Sequence, residues 1–180
     1  MIPDAEKCIF MMHAYGMLDN IVAHSFKVEK VARIIAEGIK KSGVNISLEK
    51  VTAGALMHDI AKTMCLGSTE DHAKRGSEIC IENDFPEIAG IVGEHIQLKN
   101  YEPDSDVTEK EIIYYSDKRV NHSEVVSLEK RLAYLIERYA KNESALIQRI
   151  EENFRKCREV EKKIFSSLDF SPEDLVKLAD

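Results

Sequence analysis

The chain has 180 residues, with 25 Lys and Arg against 32 Asp and Glu and a formal net charge of −7. That length supports one well-buried core with material left for an extension, and the negative balance excludes a footprint for duplex nucleic acid or an anionic membrane face. No apolar run approaches the roughly 18 residues that a bilayer crossing needs, and Asp4 and Glu6 stand where a secretion signal would be basic, so a cytoplasmic protein is expected.

Residues 1–20 read as one short helix with Ile9, Met12 and Tyr15 inward, stopped near Gly16. His13, with no polar partner at helical spacing, reads as a surface residue. From Ile21 to about Lys41 a helical stripe runs His24, Val28, Val31, Ile35, Ile39, and Gly43 is the expected helix stop. Ser47 is a natural N-cap for the next helix, whose stripe of Leu48, Val51, Ala55, His58 and Lys62 is predicted to continue to Lys62. Within VTAGALMHDIAKT, residues 51–63, a histidine and an aspartate stand together among apolar neighbours, and Gly54 and Ala53 admit close approach of a second helix.

Residues 65–70 form a loop, and the helix from Asp71 to Asn83 puts His72, Gly76, Ile79 and Cys80 on one face. Phe85-Pro86-Glu87 opens another helix with Ile88, Ile91, Val92 and His95 inward. Residues 99–107 read as an exposed loop, and Thr108-x-x-Glu111 is a capping box for a helix that turns Ile113, Asp117 and Val120 inward. Leu128–Tyr139 and Asn142–Leu168 are charged helices with apolar stripes (Leu132, Leu135, Ile136; Leu146, Ile150, Phe154, Cys157, Ile164), and Ser171-Pro172 starts a short last helix. Cys8, Cys65, Cys80 and Cys157 show no CxxC and read as reduced thiols. With no alternating pattern anywhere, the expected fold is all-α.

His24, His58, Asp59, His72, His95 and Asp117 all fall on inward faces, and an apolar interior does not tolerate so many unpartnered polar groups. A buried imidazole and an ionised carboxylate share one inexpensive partner, a cation. The order His … His-Asp … His … His … Asp, with the pair inside ALMHDIAK, resembles the HD-domain superfamily of metal-dependent phosphohydrolases, in particular its HDIG-type prokaryotic members. The resemblance covers about residues 18–122 and extends into SDKRVNHSEVVSLEKRL, residues 116–132. It departs at Ala61, where the HDIG name has glycine, and at Ile96, where some binuclear members have a second histidine.

The resemblance implies an HD-domain helical bundle over residues 1–122, with residues 123–180 as a helical extension that packs on the core or forms a dimer surface. It implies His24, His58, Asp59 and Asp117 as ligands of one metal, with His72 and His95 holding a second across Asp59. The mixed imidazole and carboxylate set suits iron, manganese, cobalt, nickel or zinc, with magnesium also admitted. Asp59 and Lys62 are the expected catalytic residues, and Lys62, Lys118 and Arg119 the expected phosphate binders. His122 reads as a surface residue or a support for a ligand. The expected activity is hydrolysis of a small phosphorylated substrate, a nucleotide foremost. A regulatory metal- or nucleotide-binding module without turnover is the alternative, and a purely structural bundle the third reading.

Overall fold

The computed structural model describes residues 1–141 and 143–180, and among them the chain is all-α apart from one ribbon of two short strands. Asp4 caps the first helix, α1 (Ala5–Ala14), by accepting from the Lys7 N–H at 2.8 Å. α1 stops near Gly16, as expected: Gly16, at φ +64°, turns the chain, and α2 (Asp19–Lys41) begins at once. The inward residues of α1 are Cys8, Met11 and Met12, whereas Ile9 and Tyr15 are half-buried. The stripe of α2 is as predicted, with His24, Val28, Val31, Ile35 and Ile39 all buried, and Gly43 closes it at φ +100°.

Ser47 caps α3 (Leu48–Met57) through its Oγ, 3.2 Å from the Lys50 N–H. Regular helix stops at Met57, five residues before the predicted end. His58 Nδ1 takes the Ala55 carbonyl that another turn would use, and residues 58–67 run on as successive turns. α4 (His72–Glu82), capped by Asp71, packs on α5 (Pro86–Glu94), which opens with proline at its first position. Two glycines set these approaches. A Cβ on Gly54 would lie 2.7 Å from Ile91 Cγ2, and one on Gly76 would lie 2.8 Å from Val92 Cγ1.

The loop before α6 (Glu109–Lys118) is exposed except that it buries Val107 and half-buries Tyr101, and α6 starts on the predicted capping box of Thr108 and Glu111. A ribbon that the sequence does not announce follows: β1 (Val120–Asn121) pairs antiparallel with β2 (Glu124–Val125), Val120 opposite Val125. Two residues per strand are too few for an alternating pattern. α7 (Leu128–Leu135) passes into a π-helical turn, Ile136–Ala140. The expected start of the next helix, Asn142, lies outside the described residues, and α8 is Ser144–Phe165. A 3-10 turn (Pro172–Asp174) and α9 (Leu175–Leu178) complete the chain.

One apolar core runs through the molecule. α8 packs on α6 and buries Phe154, Cys157, Val160 and Ile164 in the cluster that also holds Val28, Ile35, Leu56, Ile60 and Ile88. Leu132, Leu135 and Ile136 are only half-buried. The four cysteines are free and buried. Among the described residues no helix is long and apolar enough to cross a membrane.

Candidate metal centre

Three of the helices end at one place. His58 and His95 are the C-cap residues of α3 and α5, and Asp117 is next to last in α6. At a helix end the last-turn carbonyls have no intrahelical partner. The two histidines use them: His58 Nδ1 donates to Ala55 O and His95 Nδ1 donates to Val92 O, each at 2.7 Å. A carbonyl can only accept, so Nδ1 carries the hydrogen and Nε2 keeps its lone pair, aimed inward.

His24 is oriented the same way from a distance. Its Nδ1 donates to His122 O at 2.9 Å, and its Nε2 lies 3.0 Å from Asp117 Oδ1. His122 sits at the turn of the β1–β2 ribbon with φ +54°; its side chain is exposed and its ring meets Tyr134 edge-on at 5.3 Å. It thus supports a candidate ligand, but through its backbone. His72, the first residue of α4, completes the row of rings, with His24–His58, His58–His95 and His72–His95 centroids 5.4, 5.0 and 5.3 Å apart.

Asp59 lies at the middle, 1% exposed. Its Oδ1 is 3.2 Å from His72 Nε2 and 3.4 Å from His95 Nε2; its Oδ2 is 3.4 Å from His58 Nε2 and 2.7 Å from Lys62 Nζ. Each carboxylate oxygen faces a different pair of partners. His58 Nε2 and Asp59 Oδ1 are nonetheless fully buried without a hydrogen-bond partner. Two such orphans side by side are costly in a protein interior. A divalent cation satisfies both, and the donor sets His24–His58–Asp59 and Asp59–His72–His95 each have atoms within 4.8 Å of one another, so the residues fit one cation or two.

The electrostatics follow from burial and proximity. Burial alone would raise the Asp59 pKa, but His58 and Lys62 beside it hold the carboxyl well below the usual range. Asp117 is depressed likewise, against its burial, by His24 and Lys118. Burial lowers His95. For His58 the pull of burial is outweighed by the Asp59 charge, and its pKa rises.

The expected phosphate binders separate. Lys62 stays at the cluster, its side chain 30% exposed while it pairs with Asp59. Lys118 is buried: its Nζ donates to His95 O at 2.9 Å and Tyr114 O at 3.3 Å, and stands 3.9 Å from Asp117 Oδ2. Arg119 is not brought to the site. Its Nε donates to Val126 O, Nη1 to the Tyr115 hydroxyl and Nη2 to Pro172 O, so its fork is consumed in tying α6 to the C-terminal segments. Charge beside Asp117 in the sequence suggested otherwise, but on a helix consecutive residues face about 100° apart. Sequence reasoning missed Ala55 and Val92 as carbonyl acceptors, and it read His122 as a support without the backbone route, because a backbone role leaves no trace in residue type.

A family model described as HD domain matches residues 21–169. The chain belongs to the HD-domain family. The HD pair is His58-Asp59, and the family's chemistry, metal-dependent hydrolysis of phosphate bonds, is one that this donor set serves. Among curated proteins the HD-domain chain is 38% identical over 96 residues to a tRNA (cytidine(56)-2'-O)-methyltransferase of Thermoplasma volcanium, a match covering 53% of this chain and 26% of that one. It is 34% identical over 88 residues to Ribonuclease Y of Treponema denticola, covering 48% of this chain and 16% of the relative. An uncharacterised protein of Methanocaldococcus jannaschii is 33% identical over 76 residues, covering 42% of this chain and 44% of its own length. The chain thus spans under half the length of each of these relatives. No solved structure gives a significant match.

Proposed function

We propose that this HD-domain protein hydrolyses a phosphate ester or anhydride of a small substrate, a nucleotide foremost, at one or two divalent cations held by His24, His58, Asp59, His72, His95 and Asp117. The observation that carries the reading is the pair of orphaned buried atoms, His58 Nε2 and Asp59 Oδ1, inside a ring of inward-facing imidazoles. When bound, a divalent cation supplies acidified water and offsets charge on phosphate oxygens.

The chain's own residues do the rest. The Nδ1 hydrogen bonds of His24, His58 and His95 keep their Nε2 atoms pointed inward before any ligand arrives, so little reorganisation is needed on binding. Asp59, held ionised, is placed between the two donor sets and is the acceptor for the proton of attacking water. Lys62 uses one hydrogen on Asp59 and has two more for a substrate phosphate. Burial of the centre excludes bulk water, which strengthens each of these interactions. One relative is a ribonuclease by name, which favours a nucleotidyl phosphate over a sugar phosphate.

The test is elemental analysis of protein purified without chelators, followed by a phosphate-release and chromatography screen in the metal found. The panel comprises nucleoside mono-, di- and triphosphates, dinucleotides and short single-stranded RNA. Turnover of a panel member that His58→Ala and Asp59→Asn both abolish is the expected result. A metal-replete protein that turns over nothing overturns the reading, as does activity that survives both substitutions.

A further inference from the structure

The His95 ring takes its aim from its own helix, through Nδ1 on Val92 O, but that bond does not fix where the end of α5 sits over Asp59. Two side chains from other helices reach that end. Lys118, on α6, donates from Nζ to His95 O at 2.9 Å, and Asn153, on α8, donates from Nδ2 to Ile96 O at 2.9 Å. Consecutive carbonyls of the segment that leaves α5 are thus held from two helices. His95 is the C-cap, so no further turn of α5 would satisfy its carbonyl.

Both donors are themselves held by Tyr114, which is fully buried on α6. Its hydroxyl lies 2.7 Å from Asn153 O and 2.8 Å from Asn153 Oδ1, which orients the amide with Nδ2 toward Ile96. Its ring face carries Lys118 Nζ 3.8 Å from the centroid, and its carbonyl accepts a second ammonium hydrogen at 3.3 Å. A lysine side chain only 4% exposed is a costly way to fill space, and methionine would pack there at less cost. Asp117 Oδ2, 3.9 Å away, is beyond hydrogen-bond length, so charge balance alone does not account for where the ammonium points. What the ammonium supplies, and an apolar chain could not, is a donor for the carbonyl of His95.

We infer that Lys118 and Asn153 are positioning residues for His95. By holding the carbonyls of His95 and Ile96 they fix the end of α5, and through it the Asp59–His72–His95 donor set, whereas the His24–His58–Asp59 set hangs on α2 and α3. The inference deepens the metal-dependent reading above and rests on it for the cations. It also gives the helical extension after residue 122 a part in the metal centre.

The experiment reads the two donor sets separately. Chelator-stripped protein is titrated with Mn²⁺ by calorimetry, and bound metal is counted by mass spectrometry. Alongside the parent stand Asn153→Asp, Lys118→Met, and His72→Ala, which identifies the binding step that belongs to the Asp59–His72–His95 set. Phe154→Leu, which loosens α8 in the core and removes neither donor, is the control for stability. Asn153→Asp keeps an acceptor for Tyr114 and sets a second acceptor against Ile96 O.

The parent is expected to take up two Mn²⁺. In Asn153→Asp and Lys118→Met, the step that His72→Ala abolishes weakens at least about tenfold, as when a group that orients a metal ligand is lost, and the other step does not weaken. The sign decides between causes. Asn153→Asp adds a negative charge and Lys118→Met removes a positive one, so electrostatics alone would tighten Mn²⁺ at both sets, and only lost positioning loosens one. Phe154→Leu lowers the melting temperature and keeps the two steps in the parent's ratio. If Lys118→Met does not fold, Asn153→Asp, at a half-buried position, is read alone. A parent that binds a single Mn²⁺ overturns the inference, as does an Asn153→Asp protein in which that step is unchanged or tightened, or in which both steps weaken together. Two Mn²⁺ bound with the expected dependence and no hydrolysis of any panel member sinks the phosphohydrolase reading and leaves this one standing. Hydrolysis by a protein whose Asn153→Asp and Lys118→Met variants bind both cations as the parent does has the reverse result.

Discussion

Asp59→Asn keeps the shape of the central side chain and removes its charge. Lys62 and the imidazoles then lose the group that balances them, so the substitution acts on metal retention before it acts on packing. The expected outcome is protein that folds, holds less than a tenth of the parent's metal by mass spectrometry and loses at least about 100-fold in activity, the upper end of what loss of a mere supporting group produces. Metal-stripped protein carries a pH signature of the same residues. Asp59 and Asp117 have folded pKa values below their unfolded value of about 3.9, so their contribution to stability is complete above about pH 4 and drains as pH falls through the folded values. Thermal melts of stripped Asp59→Asn should therefore lose less between pH 5 and pH 3 than those of the parent; identical slopes would refute the assignment. Most of the cluster was legible in residue identity, because six ionisable groups on inward stripes have no apolar explanation.

At the scale of the helix, most beginnings were readable, as were the stops at Gly16 and Gly43, but the end of α3 was not. Asp4, Ser47, Asp71, Thr108 and Ser127 each cap a helix through a side-chain oxygen, and most are visible as polar residues ahead of an apolar stripe. The end of α3 depends on a histidine ring competing for a carbonyl, which no periodicity encodes. Helix approach supplies a sharp prediction. Gly76→Ala places a methyl 2.8 Å from Val92 Cγ1 and 3.4 Å from Ile60 Cγ2, and the α4–α5 contact must open. Overpacking of this kind costs about 1–3 kcal/mol, measurable as a lower urea midpoint at unchanged slope. Phe154→Ala, on α8, opens a hole in the shared core and should cost about 3–5 kcal/mol, and a loss below 1 kcal/mol would mean that α8 is not integral to the core.

Over the whole molecule, fold class followed from composition and periodicity, while the two-strand ribbon and the π-turn did not, being too short to leave a pattern. A single apolar interior from α1 to α9 makes unfolding one cooperative event, to which any resident cation is linked. Chelation should lower the melting temperature: a ligand present at 100 times its Kd adds about 2.7 kcal/mol, and each kcal/mol is worth about 2–4 °C in a chain of this size. Scanning calorimetry before and after chelation and re-addition checks it, and an unmoved transition would argue that no cation resides in the folded state.

His58 and His95 each lean on an oxygen only three positions earlier in their own helix. The aim of both rings is therefore inherited from short stretches of chain and does not wait for distant parts to assemble. Insertions or exchanges in the loops that join these helices should leave each half of the donor set correctly pointed, so that recruiting an ion becomes a matter of bringing finished pieces together.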